Sequence, residues 1–86
     1  MPVISQFYGI VIRMFYNDHA PPHFHAAYGE YELIVSIAPI GILEGQSPNR
    51  VRSMVLEWTA LHQQELLDDW YRCRNAQVPL PVPPLE

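Results

Sequence analysis

The stretch His19-Ala-Pro-Pro-His-Phe-His-Ala-Ala-Tyr-Gly-Glu-Tyr31 decides how this chain folds and where its chemistry is to be sought. Pro21-Pro22 holds the backbone extended, because each pyrrolidine ring fixes its own φ and crowds the preceding residue out of the helical region. Two strand-like runs follow, His23 to Tyr28 and Tyr31 to Ile37, separated by Gly29-Glu30. A two-residue loop with glycine supplying a positive φ at its first position makes them an antiparallel hairpin. That loop fixes the register: Tyr28 faces Tyr31, Ala26 faces Leu33 and Phe24 faces Val35, all on one face. Side chains alternate along a strand, so the other face carries His25 beside Ile34, His23 beside Ser36 and Ala27 beside Glu32.

That less apolar face is the candidate site. Three of the four histidines lie within this stretch, and histidine is both the commonest metal ligand and the usual general base near neutral pH. His23 and His25 are spaced so that both imidazoles reach one ion. His19 offers a third from a loop stiffened by the two prolines, and Glu32 lies on the diagonal to complete the shell or orient a ring. His19, His23, His25 and Glu32 are therefore candidate ligands of a divalent metal such as zinc. A plainer reading stands beside this one, in which the histidines are polar cover on the outer face of a two-sided sheet.

On the amino-terminal side, Phe7-Tyr-Gly-Ile-Val-Ile-Arg-Met-Phe-Tyr16 is rich in β-branched and aromatic residues and closes at Asn17-Asp18, so it reads as one strand. Both of its faces are mostly apolar and need cover, which a helix gives on one side and a partner or the histidine face on the other. Arg13 is the exception, either a surface residue whose stem packs on its neighbours or an anion contact beside the histidines. On the carboxyl side, Pro39 and Gly41 interrupt the sheet, and Ile42-Leu43 offers a brief fourth strand. Ser47-Pro48 then starts a helix, with serine as N-cap and proline at the first helical position. With no internal glycine or proline, one long helix is expected from residue 48 to about 75. The proline-rich residues 77–86 form an extended tail that either drapes over the domain or docks on a partner.

At about 100° per residue, Val51, Val55, Trp58, His62, Glu65 and Asp69 fall near one line of that helix, and the apolar stripe later swings to Leu66, Trp70 and Cys73. His62 reads as a half-buried histidine hydrogen-bonded to Glu65, or as half of a pocket-facing pair. Catalytic candidates are thus His23, His25, His62 and Glu65. If the helix covers the Phe24 face, His62 lies across the sheet from His23 and His25.

Composition narrows the classes. At 86 residues the chain is one domain, 1–76, followed by the tail, and such a chain buries only about 60% of its unfolded surface. Yet 49% of its residues are hydrophobic and only 16% charged, so some apolar surface is expected to pair with a second copy. Five arginines with no lysine, against nine acidic residues, give a net charge of −4, which disfavours direct nucleic-acid binding. A single cysteine, no signal-peptide pattern and no membrane-length apolar run lead to an expected cytoplasmic location.

The run Ile4-Ser-x-Phe-x-Gly-Ile-Val-Ile-Arg13, the block Asn17-Asp-His-Ala-Pro-Pro-His-Phe-His25, the Tyr28-Gly-Glu-Tyr31 turn and the Trp58-x-x-Leu-His62-x-x-Glu-Leu66…Trp70 helix resemble the small bacterial domain-of-unknown-function family 4160. The likeness runs to about residue 75. It implies a second small protein encoded alongside, and in some members a role as the toxin half of a type II toxin-antitoxin pair. It carries no mechanism, so His19, Pro21, Pro22, His23, Phe24, His25, Trp58 and His62 enter as motif positions only. The expected fold is α+β: a three-stranded, mostly antiparallel sheet, with room for a short fourth strand, packed on one long C-terminal helix in the order β-β-β-α. Three functions follow: a toxin-like or regulatory half acting with a cognate small protein, a metal-assisted hydrolase or nuclease, and a homodimeric structural module.

Overall fold

The computed structural model describes residues 2–86. Strands β1 (Val3–Phe7), β2 (Ile10–Arg13), β3 (His23–Tyr28), β4 (Tyr31–Ile37) and β5 (Ile40–Gln46) form an antiparallel meander in chain order. Helices α1 (Asn49–Leu61) and α2 (Gln63–Arg74) cover one of its faces. The α+β class is as expected, and the β3–β4 hairpin has the expected register, from His23↔Ser36 through Phe24↔Val35 to Tyr28↔Tyr31. The sheet, however, has five strands rather than three, and the helix is two helices rather than one.

The extra strand at the amino terminus comes from a turn inside the run read as continuous. Tyr8 and Gly9 take φ of 50° and 80°, the positive values a tight two-residue hairpin loop needs, and Phe7 pairs with Ile10 across it. Folding back there buries Ile4, Phe7, Ile10, Ile12 and Met14 in one core. The premise for a second copy as cover, one long strand apolar on both faces, therefore does not hold.

The brief fourth strand is instead the seven-residue β5, because Ala38 and Pro39 occupy the turn and the proline's missing N–H falls outside the ladder. Near its end, Gly45 has φ +99°, and a Cβ there would overlap the Glu32 carbonyl oxygen. Gly45→Ala is expected to destabilise the domain by about 2 kcal/mol or more, read as a lower urea midpoint, because it combines a disfavoured φ with a backbone clash.

The helix breaks at His62, whose φ of −123° is not helical and whose amide is shared between the carbonyls of Trp58 (3.1 Å) and Thr59 (3.3 Å). Gln63 fastens the corner by donating to the Ile37 carbonyl at 2.8 Å, and α1 packs on β5 while α2 packs on β4. The start of α1 also differs from the expected cap. Pro48, at ψ 146°, is itself the N-cap, and the Ser47 hydroxyl donates to the Pro48 carbonyl instead of accepting from the first turn.

Trp58 sits at the centre of the core, fully buried, with the rings of Phe7 and Phe24 at 5.2 and 5.6 Å. Leu61, beside the predicted stripe, is exposed. After α2 the chain turns at Ala76 (φ 59°), with the Gln77 amide donating to the Arg72 carbonyl at 2.8 Å, and the tail folds back over the domain. Four hydrogen bonds hold it: Arg72 Nε to the Val78 carbonyl, the Leu80 amide to Asp69 Oδ1, the Val82 amide to the Ile4 carbonyl and Trp58 Nε1 to the Pro83 carbonyl. Of the two courses open to the tail, it drapes.

Asp69 is buried, and its Oδ2 has no hydrogen-bond partner among the described residues. Burial pushes its carboxyl above the ordinary value. A raised carboxyl favours folding fully only below its unfolded value of about 3.9, and that contribution is lost as pH rises through the raised value. Asp69→Asn keeps an acceptor for Leu80 without a buried charge. It is expected to melt higher than the parent at pH 7, with the gain gone at pH 3, in paired thermal melts.

Candidate metal centre

Between β2 and β3, residues 14–22 loop over the start of β3. Asn17 takes a left-handed φ of 56°, a conformation asparagine tolerates, and Arg74 Nη1 holds the Asp18 carbonyl at 3.1 Å. The Asp18 carboxylate consequently faces the two strand histidines. His23 Nε2 lies 2.8 Å from Asp18 Oδ2, and His25 Nε2 lies 3.6 Å from the same oxygen. One ligand atom from each of Asp18, His23 and His25 falls within 4.8 Å of the others, so the three can meet one ion.

The loop also changes the character of the face. His23 is buried, with its ring 5.2 Å from Trp70, and His25 is half-buried, with the Phe15 ring edge-on at 4.5 Å. They occupy the predicted strand face, yet they are not the solvent-exposed pair that the hairpin alone suggests.

The hydrogen bonds of His23 decide what its ring can do. Its Nδ1 sits 2.7 Å from the Pro21 carbonyl, which can only accept, so Nδ1 carries the proton. In the neutral ring Nε2 is then a bare lone pair, and it points at a carboxylate oxygen. Two acceptors 2.8 Å apart are satisfied only when a cation joins them, either a second ring proton or a metal ion. An Nδ1–H bonded to a backbone carbonyl is also how proteins orient a histidine that binds metal through Nε2. Burial pushes the Asp18 carboxyl up, but the His19 amide and the two histidines outweigh it and hold the group below its ordinary value. The carboxylate thus remains available as a ligand through the neutral range.

The other candidates are placed differently. His25 Nδ1 is buried without a hydrogen-bond partner among the described residues, and the Glu32 carboxylate stands 3.5 Å away, where it can orient the ring. His19 is exposed at the rim, 3.2 Å from Asp18 Oδ1. His62 and Glu65 form their own pair at 2.6 Å, and His62 lines a different cleft with Glu57, Leu61 and the tail, so neither joins the strand histidines. Cys73 is buried, and burial together with Asp69 pushes its thiol up, which removes it as a nucleophile. Asp18 itself was legible only as a turn residue. The available signal was a carboxylate five residues before His23 in a loop closed by two prolines.

Beside these three side chains opens a cleft of about 190 Å³, walled by His19, Pro21, Ile34, Leu43 and Glu44. The molecule is thus a small α+β domain with a two-histidine, one-aspartate cluster under a loop on the sheet face away from Phe24, bordered by Trp70 and Arg74 of α2. Residues 9–71 match the family described as Domain of unknown function (DUF4160), and the chain belongs to that family. The matched span includes all three members of the cluster. No curated protein and no solved structure matches the chain.

Proposed function

We propose that the protein binds one divalent metal ion, such as zinc, through Asp18, His23 and His25, and acts as a metal-assisted hydrolase. One observation carries this reading: the lone pair of His23 Nε2 and the carboxylate of Asp18 converge 2.8 Å apart with His25 alongside, an arrangement completed by a cation. Three protein ligands are the set that catalytic zinc sites use, leaving a position open, and here a cleft adjoins them. A metal held there would supply Lewis acidity, while Glu32 orients His25 from behind. Calorimetric titration of metal-free, untagged protein with zinc tests the assignment. The parent should saturate at one ion per chain, and Asp18→Asn should bind at least tenfold more weakly. Equal affinity of the two proteins would remove Asp18 from the site.

A second reading is supported by the open sheet face, where exposed Leu43 and half-buried Ile34 wall the cleft. A cognate small protein, or a second copy of the chain, seated there would cover the metal centre. Such cover suits the partner-controlled, toxin-like half of a two-protein system that the family likeness implies. Expression should then arrest growth without the partner and not with it, and His25→Asn should relieve the arrest. Growth unaffected in every case would set this reading aside. Among the described residues, no helix is long and apolar enough to cross a membrane.

A further inference from the structure

Pairing across the sheet sets one row of residues through the metal cluster: Arg13 on β2, His25 on β3, Ile34 on β4 and Glu44 on β5. Directly paired residues share a face, so this row puts Arg13 next to His25 on the β2 side and, beyond Ile34, Glu44 on the β5 side, with Arg13 outside the wall of the cleft and His25 between the two. Three strand spacings separate the outer two, about 14 Å between backbones, a span that one carbonyl group with its two substituents can fill. The Arg13 side chain is half-buried and makes no hydrogen bond or ion pair with any described residue, so its charge is uncommitted. Glu44 and the apolar Ile34 and Leu43 wall the cleft that adjoins the ligands.

Resting on the metal-assisted reading above, the geometry points to a substrate class: small neutral esters or amides with an apolar group, with Glu44 as general base and Arg13 as partner of the developing oxyanion. Water in the cleft attacks the carbonyl carbon, and its proton passes to Glu44. The carbonyl oxygen, now carrying the electron pair, faces Arg13. When the bond to the leaving group breaks, Glu44 returns the proton to that oxygen or nitrogen, giving a carboxylic acid and an alcohol or amine. The apolar substituent rests on Ile34 and Leu43. A phosphodiester fits less well, because Asp18, Glu32 and Glu44 crowd the same face and the chain has a net charge of −4.

The test uses full-length, zinc-loaded protein with zinc content measured for every variant. Substrates are p-nitrophenyl acetate and butyrate, with bis(p-nitrophenyl) phosphate as the phosphodiester arm. Acetohydroxamate, followed by calorimetry, serves as an oxyanion probe that needs no turnover. Glu44→Gln is expected to keep one zinc per chain and lose about 100-fold or more in ester hydrolysis, the usual contribution of a general base. Arg13→Gln should also keep its zinc but bind acetohydroxamate at least tenfold more weakly. Both variants matching the parent while holding zinc would overturn the inference and leave the metal site standing. So would an intact zinc protein that hydrolyses no ester faster than free zinc does, or one that cleaves the phosphodiester in preference. A parent that binds no zinc would instead sink the metal reading, and this inference with it.

Discussion

Trp58→Ala is expected to cost about 3–5 kcal/mol, most of the stability available to a domain of this size. The indole is fully buried between Phe7 of β1 and Phe24 of β3, with His62 at 5.7 Å, so its loss opens a cavity where α1 meets the sheet. It also cuts the bond from Nε1 to the Pro83 carbonyl, one of the four that hold the tail. Trp58→Phe separates the two effects. It keeps an aromatic ring in the core and drops the tail bond, for a smaller loss of which about 1 kcal/mol belongs to the hydrogen bond. Urea denaturation followed by circular dichroism reads both variants. An alanine variant melting within a few degrees of the parent would mean that α1 does not bury this face.

Exchanging the two strand histidines for asparagine, one at a time, is expected to abolish metal binding in both cases but to affect folding unequally. His23 is buried, packs on Trp70 and donates through Nδ1 to the Pro21 carbonyl, so His23→Asn removes that donor and a packed ring and should cost about 1–3 kcal/mol. His25 is half-buried, and its Nδ1 makes no hydrogen bond, so His25→Asn should cost less than about 1 kcal/mol. It is therefore the cleaner probe: a folded protein that has lost its metal. Zinc calorimetry paired with a thermal melt of each variant gives both quantities. Full zinc affinity in His25→Asn would contradict the proposed ligand set.

Much of this architecture is local and so could be read from residue order. The Gly29-Glu30 loop fixed the β3–β4 register to the residue, because loop length and alternation leave one pairing that buries Phe24, Ala26, Leu33 and Val35 together. The Tyr8-Gly9 turn escaped because tyrosine stands where asparagine or aspartate usually marks a positive φ, so the apolar run looked continuous. The break at His62 has no proline or glycine to announce it. It is held by tertiary contacts such as Gln63 with the Ile37 carbonyl, which sequence spacing does not contain. At the candidate site the histidine pair was visible as a strand-face pattern, whereas Asp18 was not. Its position depends on how residues 14–22 fold back, and on Arg74, more than fifty residues away in the chain, which holds the Asp18 carbonyl. The separation of His62 and Glu65 from the strand histidines did follow from sequence, once the helix was placed over the Phe24 face.

The most direct test of the metal centre is anomalous diffraction at the zinc edge from crystals of the untagged protein grown with one equivalent of zinc. A single peak is predicted about 2.0–2.2 Å from Asp18 Oδ2, His23 Nε2 and His25 Nε2, with the cleft beside Glu44 adjoining its remaining position. A peak at the His62–Glu65 pair or at the rim on His19, or no ordered zinc at all, would contradict the assignment.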